Sequence, residues 1–446
     1  MKKLLLLVLL ASSTIGAQCW QNINAGGGTV HGVKSDGTFW GWGLNDVGEI
    51  GDGTTTDKTT TTQVGTAAAW QSSDLLGFHT LALQTNGSLW ASGKNNNGQL
   101  GNGTLINEAS FINVSNGTSW IVASAGVYHS AAIRSDGTLW TWGQNNKGQL
   151  GDGTLVNKST PTQVGVGNDW RSVSAGWEFT LAIKTDGTLW AWGANQHGQF
   201  GNGTTVNSTV PVQVGSQFDW AAIDAGWGFN VALKAEGTIW IWAGYTGEFS
   251  VDHTPQQIGT DTDWKSISGG DDHYAAVKLN GTLWASGENT YGQLGNGTTV
   301  DAPNLIQIGT ATDWKEVFAD GYQYTVGLKN SGDLYAWGQN LQGQLANGTN
   351  DTHTSPIPVA CPVSLATTTF NEAVAVTMYP NPAKDYLQIT GTNEASVLEI
   401  YALSGAKLFT QSFNGDTKVN LSLASGMYLA KITSGSNEIV QKLIVK

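Results

Sequence analysis

Trp170-Arg-Ser-Val-Ser-Ala-Gly-Trp-Glu-Phe-Thr-Leu-Ala-Ile-Lys-Thr-Asp-Gly-Thr-Leu-Trp-Ala-Trp192 reads as three short strands separated by turns. Trp170 to Val173 forms the first strand and ends at Ala175-Gly176. Phe179 to Lys184 alternates in polarity and forms the second. Asp186-Gly187 predicts a two-residue hairpin turn, because Asp and Gly accept the positive φ angles that such turns demand. Leu189 to Trp192 is the third strand. After the loop Gly198-Gln-Phe-Gly-Asn-Gly-Thr204, Pro211-Val-Gln-Val214 predicts a fourth strand. Its Pro stands at the start, where a missing N–H costs least. No helical period runs through the unit.

The same unit occurs seven times. Its opening Trp falls at Trp20, Trp70, Trp120, Trp170, Trp220, Trp264 and Trp314, in steps of 50, 50, 50, 50, 44 and 50. Its turn Gly falls at Gly37, Gly87, Gly137, Gly187, Gly237, Gly281 and Gly332. A Gly- and Trp-rich period near fifty, with four strands in each copy, predicts a β-propeller whose units bury their apolar faces against one another. The loop recurs as Gly48 to Thr54, Gly98 to Thr104, Gly148 to Thr154, Gly292 to Thr298 and Gly343 to Thr349; the fifth unit lacks it.

These loops, with the Asp-Gly-Thr-Leu-Trp-x-Trp-Gly run, resemble the repeats of the regulator of chromosome condensation family over residues 20 to about 360. The resemblance implies a seven-bladed propeller. That family includes a nuclear exchange factor, a plant ultraviolet photoreceptor and many binding scaffolds, so the fold does not choose a function. The photoreceptor is similar to a Gly-Trp-Arg-His-Thr repeat. Here the nearest string is Gly176-Trp-Glu-Phe-Thr180, with Glu178 where the Arg would stand.

Met1-Lys-Lys3, an apolar run to Leu10 and small residues to Ala17 predict a signal peptide over 1–17, too short to span a bilayer. Cleavage after Ala17 would begin the mature chain at Gln18, and export conflicts with a nuclear role. No later stretch is apolar enough for a transmembrane segment. The net charge of −13 and scattered basic residues argue against nucleic acid as a partner.

The propeller is expected over 18–361. Pro356-Ile-Pro-Val359 aligns with the fourth strand of other units, so the C-terminal strand is expected to complete a blade begun by the N-terminus. In the repeat frame the only two cysteines, Cys19 and Cys361, fall three residues apart across a tight turn, which predicts a ring-closing disulfide in an oxidising compartment.

Residues 362–373 read as a Thr-rich linker. From 374 to 446 alternating segments divided by Gly, Asn and Ser predict a small antiparallel β-sandwich. The order Tyr379-Pro380-Asn381-Pro382, Tyr401 to Gly405, Leu423-Ala-Ser-Gly426-Met-Tyr428 and the basic end at Lys446 resembles the C-terminal sorting domain of the type IX secretion system of Bacteroidota. The resemblance implies that the secretion machinery is a partner, and that the tail is an address rather than a site of chemistry.

Repeats supply an internal control, since a residue in a shared slot serves the fold. Of 20 tryptophans, 18 hold shared slots; Trp177 and Trp227 do not. Their slot reads Gly27, Gly77, Val127, Trp177, Trp227, Asp271 and Tyr322, and the next reads Gly28, Phe78, Tyr128, Glu178, Gly228, Asp272 and Gln323. Aromatics beside acids on converging loops suit sugars, peptides or cationic groups, so Trp177, Trp227, Tyr322, Tyr128, Phe78, Glu178, Asp271 and Asp272 are the candidate binding residues. Packing of the loop aromatics on adjacent blades explains the same pattern. His79, His129 and His273 share a slot with Phe179, Phe229 and Tyr324, which marks packing rather than metal ligation. The Asn or Asp of each Gly-Asp/Asn-Gly-Thr loop is expected to satisfy turn backbone groups. No catalytic motif and no cofactor motif stands out.

Three functions fit. The first is a secreted or cell-surface recognition module for a glycan or protein. The second is a secreted polysaccharide- or peptide-degrading enzyme using acids such as Glu178, Asp271 and Asp272; glycoside hydrolysis would need two carboxyl groups about 5–10 Å apart. The third is a surface structural component without a ligand.

Overall fold

The computed structural model describes residues 19–446 except 116, 228, 244–252, 321–322, 363–375, 392–394, 403–404 and 435–436. The signal peptide, most of the linker and Tyr322 lie outside the described residues. Among the described residues every regular element is a strand.

Seven four-stranded antiparallel sheets follow one another along 20–359. In the first, Trp20–Gly26, Thr29–Lys34, Phe39–Gly43 and Lys58–Gln63 pair in chain order. The last repeats the plan with Trp314–Asp320, Tyr324–Lys329, Leu334–Gly338 and His353–Val359. Asn24, Asp74, Ser124, Ser174, Asp224, Ser268 and Phe318 occupy one slot of the seven first strands, and all seven line a single cavity. The first strands therefore ring a central channel, as a seven-bladed propeller requires.

That slot ties blade to blade. Asn24 Oδ1 accepts the Leu75 N–H (3.1 Å) and Asp74 Oδ1 the Ala125 N–H (2.7 Å). Ser124 Oγ accepts from Ala175 N (3.0 Å), Ser174 Oγ from Ala225 N (2.9 Å) and Asp224 Oδ2 from Gly269 N (2.9 Å). Phe318 offers no acceptor, so blade 7 joins blade 1 by other means. Trp42 Nε1 donates to Gln344 O (3.0 Å), Tyr324 OH to Thr29 O (2.8 Å), and Cys19 bonds Cys361 with Cα atoms 6.0 Å apart.

Three local expectations need correction. His353–Val359 pairs with Leu334–Gly338 of its own repeat, so each blade is one continuous stretch and no strand is shared between the chain ends. The disulfide and side-chain bonds close the ring instead. The Asp186-Gly187 turn is a three-residue hairpin loop: Lys184 N bonds Thr188 O and Gly187 N bonds Lys184 O. Gly187 alone has positive φ (81°); the Asp186 carboxylate accepts the Thr188 N–H and hydroxyl. Pro211 lies inside Ser208–Gln213, where three residues, 209–211, face the single Trp192 across a register shift. An irregular edge strand tolerates a residue without an N–H.

The opening tryptophans are buried, from 0% exposure at Trp20 to 6% at Trp70, and pack at the junctions between blades. The shortened fifth unit ends in a fourth strand of three residues, Gln256–Ile258.

The tail forms two sheets over one core that includes Leu387, Ile389, Leu398, Ile400 and Ile432. Asn381 Nδ2 donates to Lys442 O (2.6 Å) and Asn381 Oδ1 accepts from Ile444 N (3.0 Å), while Lys446 N bonds Ala383 O (2.9 Å). The Tyr379-to-Pro382 opening is thus sewn to the basic C-terminal strand. Tyr428 OH, two residues beyond Gly426, donates to Ala424 O (2.8 Å).

The disulfide spans 342 residues. Loop entropy sets an upper bound of roughly 5–6 kcal/mol on its contribution. Cys361→Ser is expected to lower the unfolding free energy by up to that amount in denaturant titration. Equal stability of variant and oxidised protein would show that the bond adds nothing.

Candidate functional site

Antiparallel strands alternate in direction, so the first–second and third–fourth connections of every blade leave the same face. The first–second loops form the inner ring of that face, around the channel mouth. Here Trp177 and Trp227 stack, with ring centroids 6.0 Å apart and planes 24° from parallel. Trp227 Nε1 donates to Leu76 O at 3.2 Å. Trp227 belongs to blade 5 and Leu76 to blade 2. These blades are not neighbours, so the bond crosses the channel mouth. Both indoles are half-buried. The two leftover tryptophans are brought together, as a lid.

Beside them Lys94 Nζ lies 4.8 Å from the Phe78 ring and 5.7 Å from the Tyr128 ring, a cation–π arrangement that ties blade 2 to blade 3. At blades 1 and 2 the loops press together: a Cβ on Gly27 (φ 54°) would collide with the Gly77 carbonyl. That crowding explains why the slot is Gly there and Trp on the opposite side. Val127 is fully buried, so it builds the wall and offers no contact.

Burial raises the Asp271 carboxyl to about 6, with the charges of Asp272 and Glu288 adding to the effect. This acidic corner belongs to blade 6. Glu178 stands half-buried on blade 4, and its main-chain oxygen accepts the Ala194 N–H (2.9 Å). The acids that electrostatics does couple across the ring are two that slot-by-slot reading of the inner loops misses. Burial pushes Asp74 up to about 7, and the Asp224 charge adds to it; burial raises Asp224 as well. Both line the channel cavity, whose volume is ≈ 430 Å³. Aligning the seven first strands on their opening Trp would have exposed them, as two acids among Asn, Ser and Phe.

The third–fourth connections form the outer rim of the same face. Leu105, Ile106, Leu155, Val156 and Val206 stand exposed on blades 2, 3 and 4; Ile106, Val156 and Val206 are 69%, 62% and 72% exposed. Each loop turns about a buried Asn. Asn95 Oδ1 accepts the Leu100 N–H (2.9 Å) and its Nδ2 donates to Thr104 O and Ile106 O. Asn102 Oδ1 accepts the Thr104 N–H at 3.0 Å, the backbone role expected of the loop Asn and Asp.

The shared-slot histidines pack and bond between blades. His79 pairs with Ser130 Oγ (2.8 Å), His129 with Thr180 Oγ1 (2.8 Å) and His273 with Thr325 Oγ1 (2.9 Å). Among the described residues no group of three or more His, Cys, Asp or Glu is placed to hold a metal ion. Burial drives His129 down to about 3. As pH falls below 6.5 the unfolded chain takes up a proton that the folded chain refuses until about pH 3, so stability present above 6.5 is lost on acidification. His129→Phe, which copies blades 4 and 5, removes one such proton. The stability of the variant relative to wild type, measured by urea unfolding, should improve by about 2 kcal/mol between pH 7 and pH 5. An unchanged difference would mean that His129 is not held neutral.

The fold and face define a class: an all-β propeller with an aromatic-capped channel, carrying a separate β-sandwich tail. Residues 107–379, more than half of the chain, match the family model of the RCC1-like domain, and the protein belongs to that family. Residues 377–446 match the secretion system C-terminal sorting domain, so this is a propeller module with an export address. The chain is 33% identical over 78 residues to the ultraviolet-B receptor UVR8 of Arabidopsis thaliana, which covers 17% of this chain and 18% of the receptor. It is 40% identical over 74 residues to human protein RCC2, covering 16% of this chain and 14% of RCC2. It thus spans less than a fifth of the length of these relatives. Among solved structures, yeast RCC1 (Prp20) bound to Kap60 superposes with a TM-score of 0.64 at 19% identity, covering 76% of this chain and 85% of that one. Human WBSCR16 gives 0.60 at 21% identity, covering 68% and 85%. These structural likenesses show the fold.

Proposed function

We propose that the protein is an exported recognition module, processed after Ala17, with a propeller over 18–361, a linker over 362–373 and a sorting domain over 374–446. The sorting domain engages the type IX secretion machinery, and the propeller binds a glycan or protein at its loop face, outside the cell or on its surface. One observation carries this: exposed aliphatic side chains on the outer rim of blades 2, 3, 4 and 6 and half-buried aromatics on the inner ring of blades 2–5 share one face. Apolar surface gathered on one side of a monomer marks an interaction site, and aromatic residues favour interfaces. The aliphatic rim favours a protein over a glycan. For the hydrolase alternative, Glu178 stands on blade 4 and the Asp271–Asp272 corner, with Glu288, on blade 6. Asp74 and Asp224 lie inside the channel, where each holds a neighbouring blade through a backbone N–H.

Mature protein immobilised against outer-membrane protein extract and against a glycan array should retain a saturable partner. The double variant Ile106→Asp/Val156→Asp should weaken capture at least tenfold with an unchanged melting temperature, because both side chains are exposed. Trp227→Ala should weaken it too, by freeing the inner ring. Full capture by all variants would remove the loop face as the binding surface.

A further inference from the structure

The cavity along the propeller axis carries two carboxyls that the fold itself does not need. Asn24, Ser124 and Ser174 hold the next blade through the same backbone bond that Asp74 and Asp224 make. A neutral acceptor is therefore enough for the wall. Blades 2 and 5 are not adjacent, so the two acids come from separated parts of the ring into one cavity. Neither forms an ion pair among the described residues. Buried carboxylates without a cation are costly, and their cost falls when a cation enters.

The cavity is roomy. Its ≈ 430 Å³ far exceeds a bare metal ion, and no set of three metal-ligating side chains stands among the described residues. The Trp227–Leu76 bond crosses the mouth on the loop face, and Leu76 itself lines the cavity. The far end is lined by Lys265, Lys315 and Glu316; Lys315 is already engaged by Gln21 O (3.2 Å) and Glu316 (3.4 Å). A ligand that satisfies this interior should carry positive charge on hydrogen-bond donors and should not require a complete metal coordination shell.

We propose that the central cavity is a binding site for a small organic ammonium ion, an alkyl amine or diamine, whose N–H groups donate to Asp74 and Asp224. The site is distinct from the loop-face surface and independent of whichever partner docks there. Near neutral pH Asp74 is only partly ionised, because burial and, to a lesser degree, the Asp224 charge oppose its ionisation. Ammonium binding then expels a proton from the cavity to the buffer. The other charged groups that line the cavity are Lys265, Lys315 and Glu316, and their net charge does not cancel the acid pair.

The test uses the full mature protein and isothermal titration with 1,4-diaminobutane, with 1,4-butanediol as the uncharged control. Asp74→Asn and Asp224→Asn keep the backbone acceptor, as Asn24 does in blade 1, so their melting temperatures should not fall. The expected result is saturable diamine binding at pH 8 and none for the diol. Affinity should drop at least tenfold in each Asn variant and at least tenfold again in wild type on moving from pH 8 to pH 5.5. At pH 7 the wild-type heat should vary with the ionisation enthalpy of the buffer, and Asp74→Asn should abolish that variation. Absence of saturable diamine binding, equal binding of the diol, or equal affinity in folded Asn variants would overturn the proposal.

Discussion

One backbone carbonyl in each long loop is the joint on which the ring turns. Gln99 O accepts both Ser130 Oγ (2.7 Å) and Trp142 Nε1 (2.7 Å) of the next blade. Gln149 O accepts Thr180 Oγ1 and Trp192 Nε1, and Gln293 O accepts Thr325 Oγ1 and Trp337 Nε1, all at 2.8–2.9 Å. Gln199 O takes Asn230 Nδ2 and Trp242 Nε1, and Glu49 O takes Thr80 and Ser92. A buried carbonyl left without a donor costs about 1–3 kcal/mol, so removing either half of this joint disturbs two blades at once. The buried Asn of each loop fixes where that carbonyl points. Indole size, loop shape and blade spacing are thereby set together, and the Trp-rich repeat follows from this geometry.

That coupling explains which parts of the fold were legible in the sequence. A repeated unit with alternating polarity reveals strand number and strand faces, because both are local. The hairpin at Asp186-Gly187 departs from the two-residue form because the Asp carboxylate, by capping Thr188, makes a longer loop possible without positive φ at Asp186. Pro211 sits inside its strand rather than at the start, and the register shift that allows this on an outer strand leaves no trace in polarity. The role of Asn95 and its counterparts was invisible for a related reason. Its side-chain partners lie five to eleven residues away, in a loop with no period of its own.

The loop-face aromatics emerged by subtraction, since Trp177 and Trp227 had no counterparts in other units. The bond from Trp227 to Leu76 across the channel mouth was not legible, because it depends on the ring's diameter. The channel acids were harder still. Asp74 follows Gln71-Ser-Ser73 and Asp224 follows Ala221-Ala-Ile223, contexts in which an acid looks like ordinary surface. Burial there is a collective property of seven strands that face one another. No single unit contains the information, although the aligned slot does.

The seam between blades 7 and 1 shows why a covalent closure belongs at this place. The channel bond made elsewhere by Asn, Asp or Ser is absent at Phe318, and each blade is a continuous stretch, so no exchanged strand holds the ends. Thermal opening would begin where the chain itself does not run across the joint. Cys19 and Cys361 supply the missing covalent path, and Lys34 Nζ holds the Pro362 carbonyl at 2.8 Å just beyond it. The sorting tail starts on the far side of that bond. Any force or cut applied to the sorting domain acts beyond Cys361 and leaves the ring a closed covalent loop. The propeller is thus mechanically separated from the sorting domain that follows it.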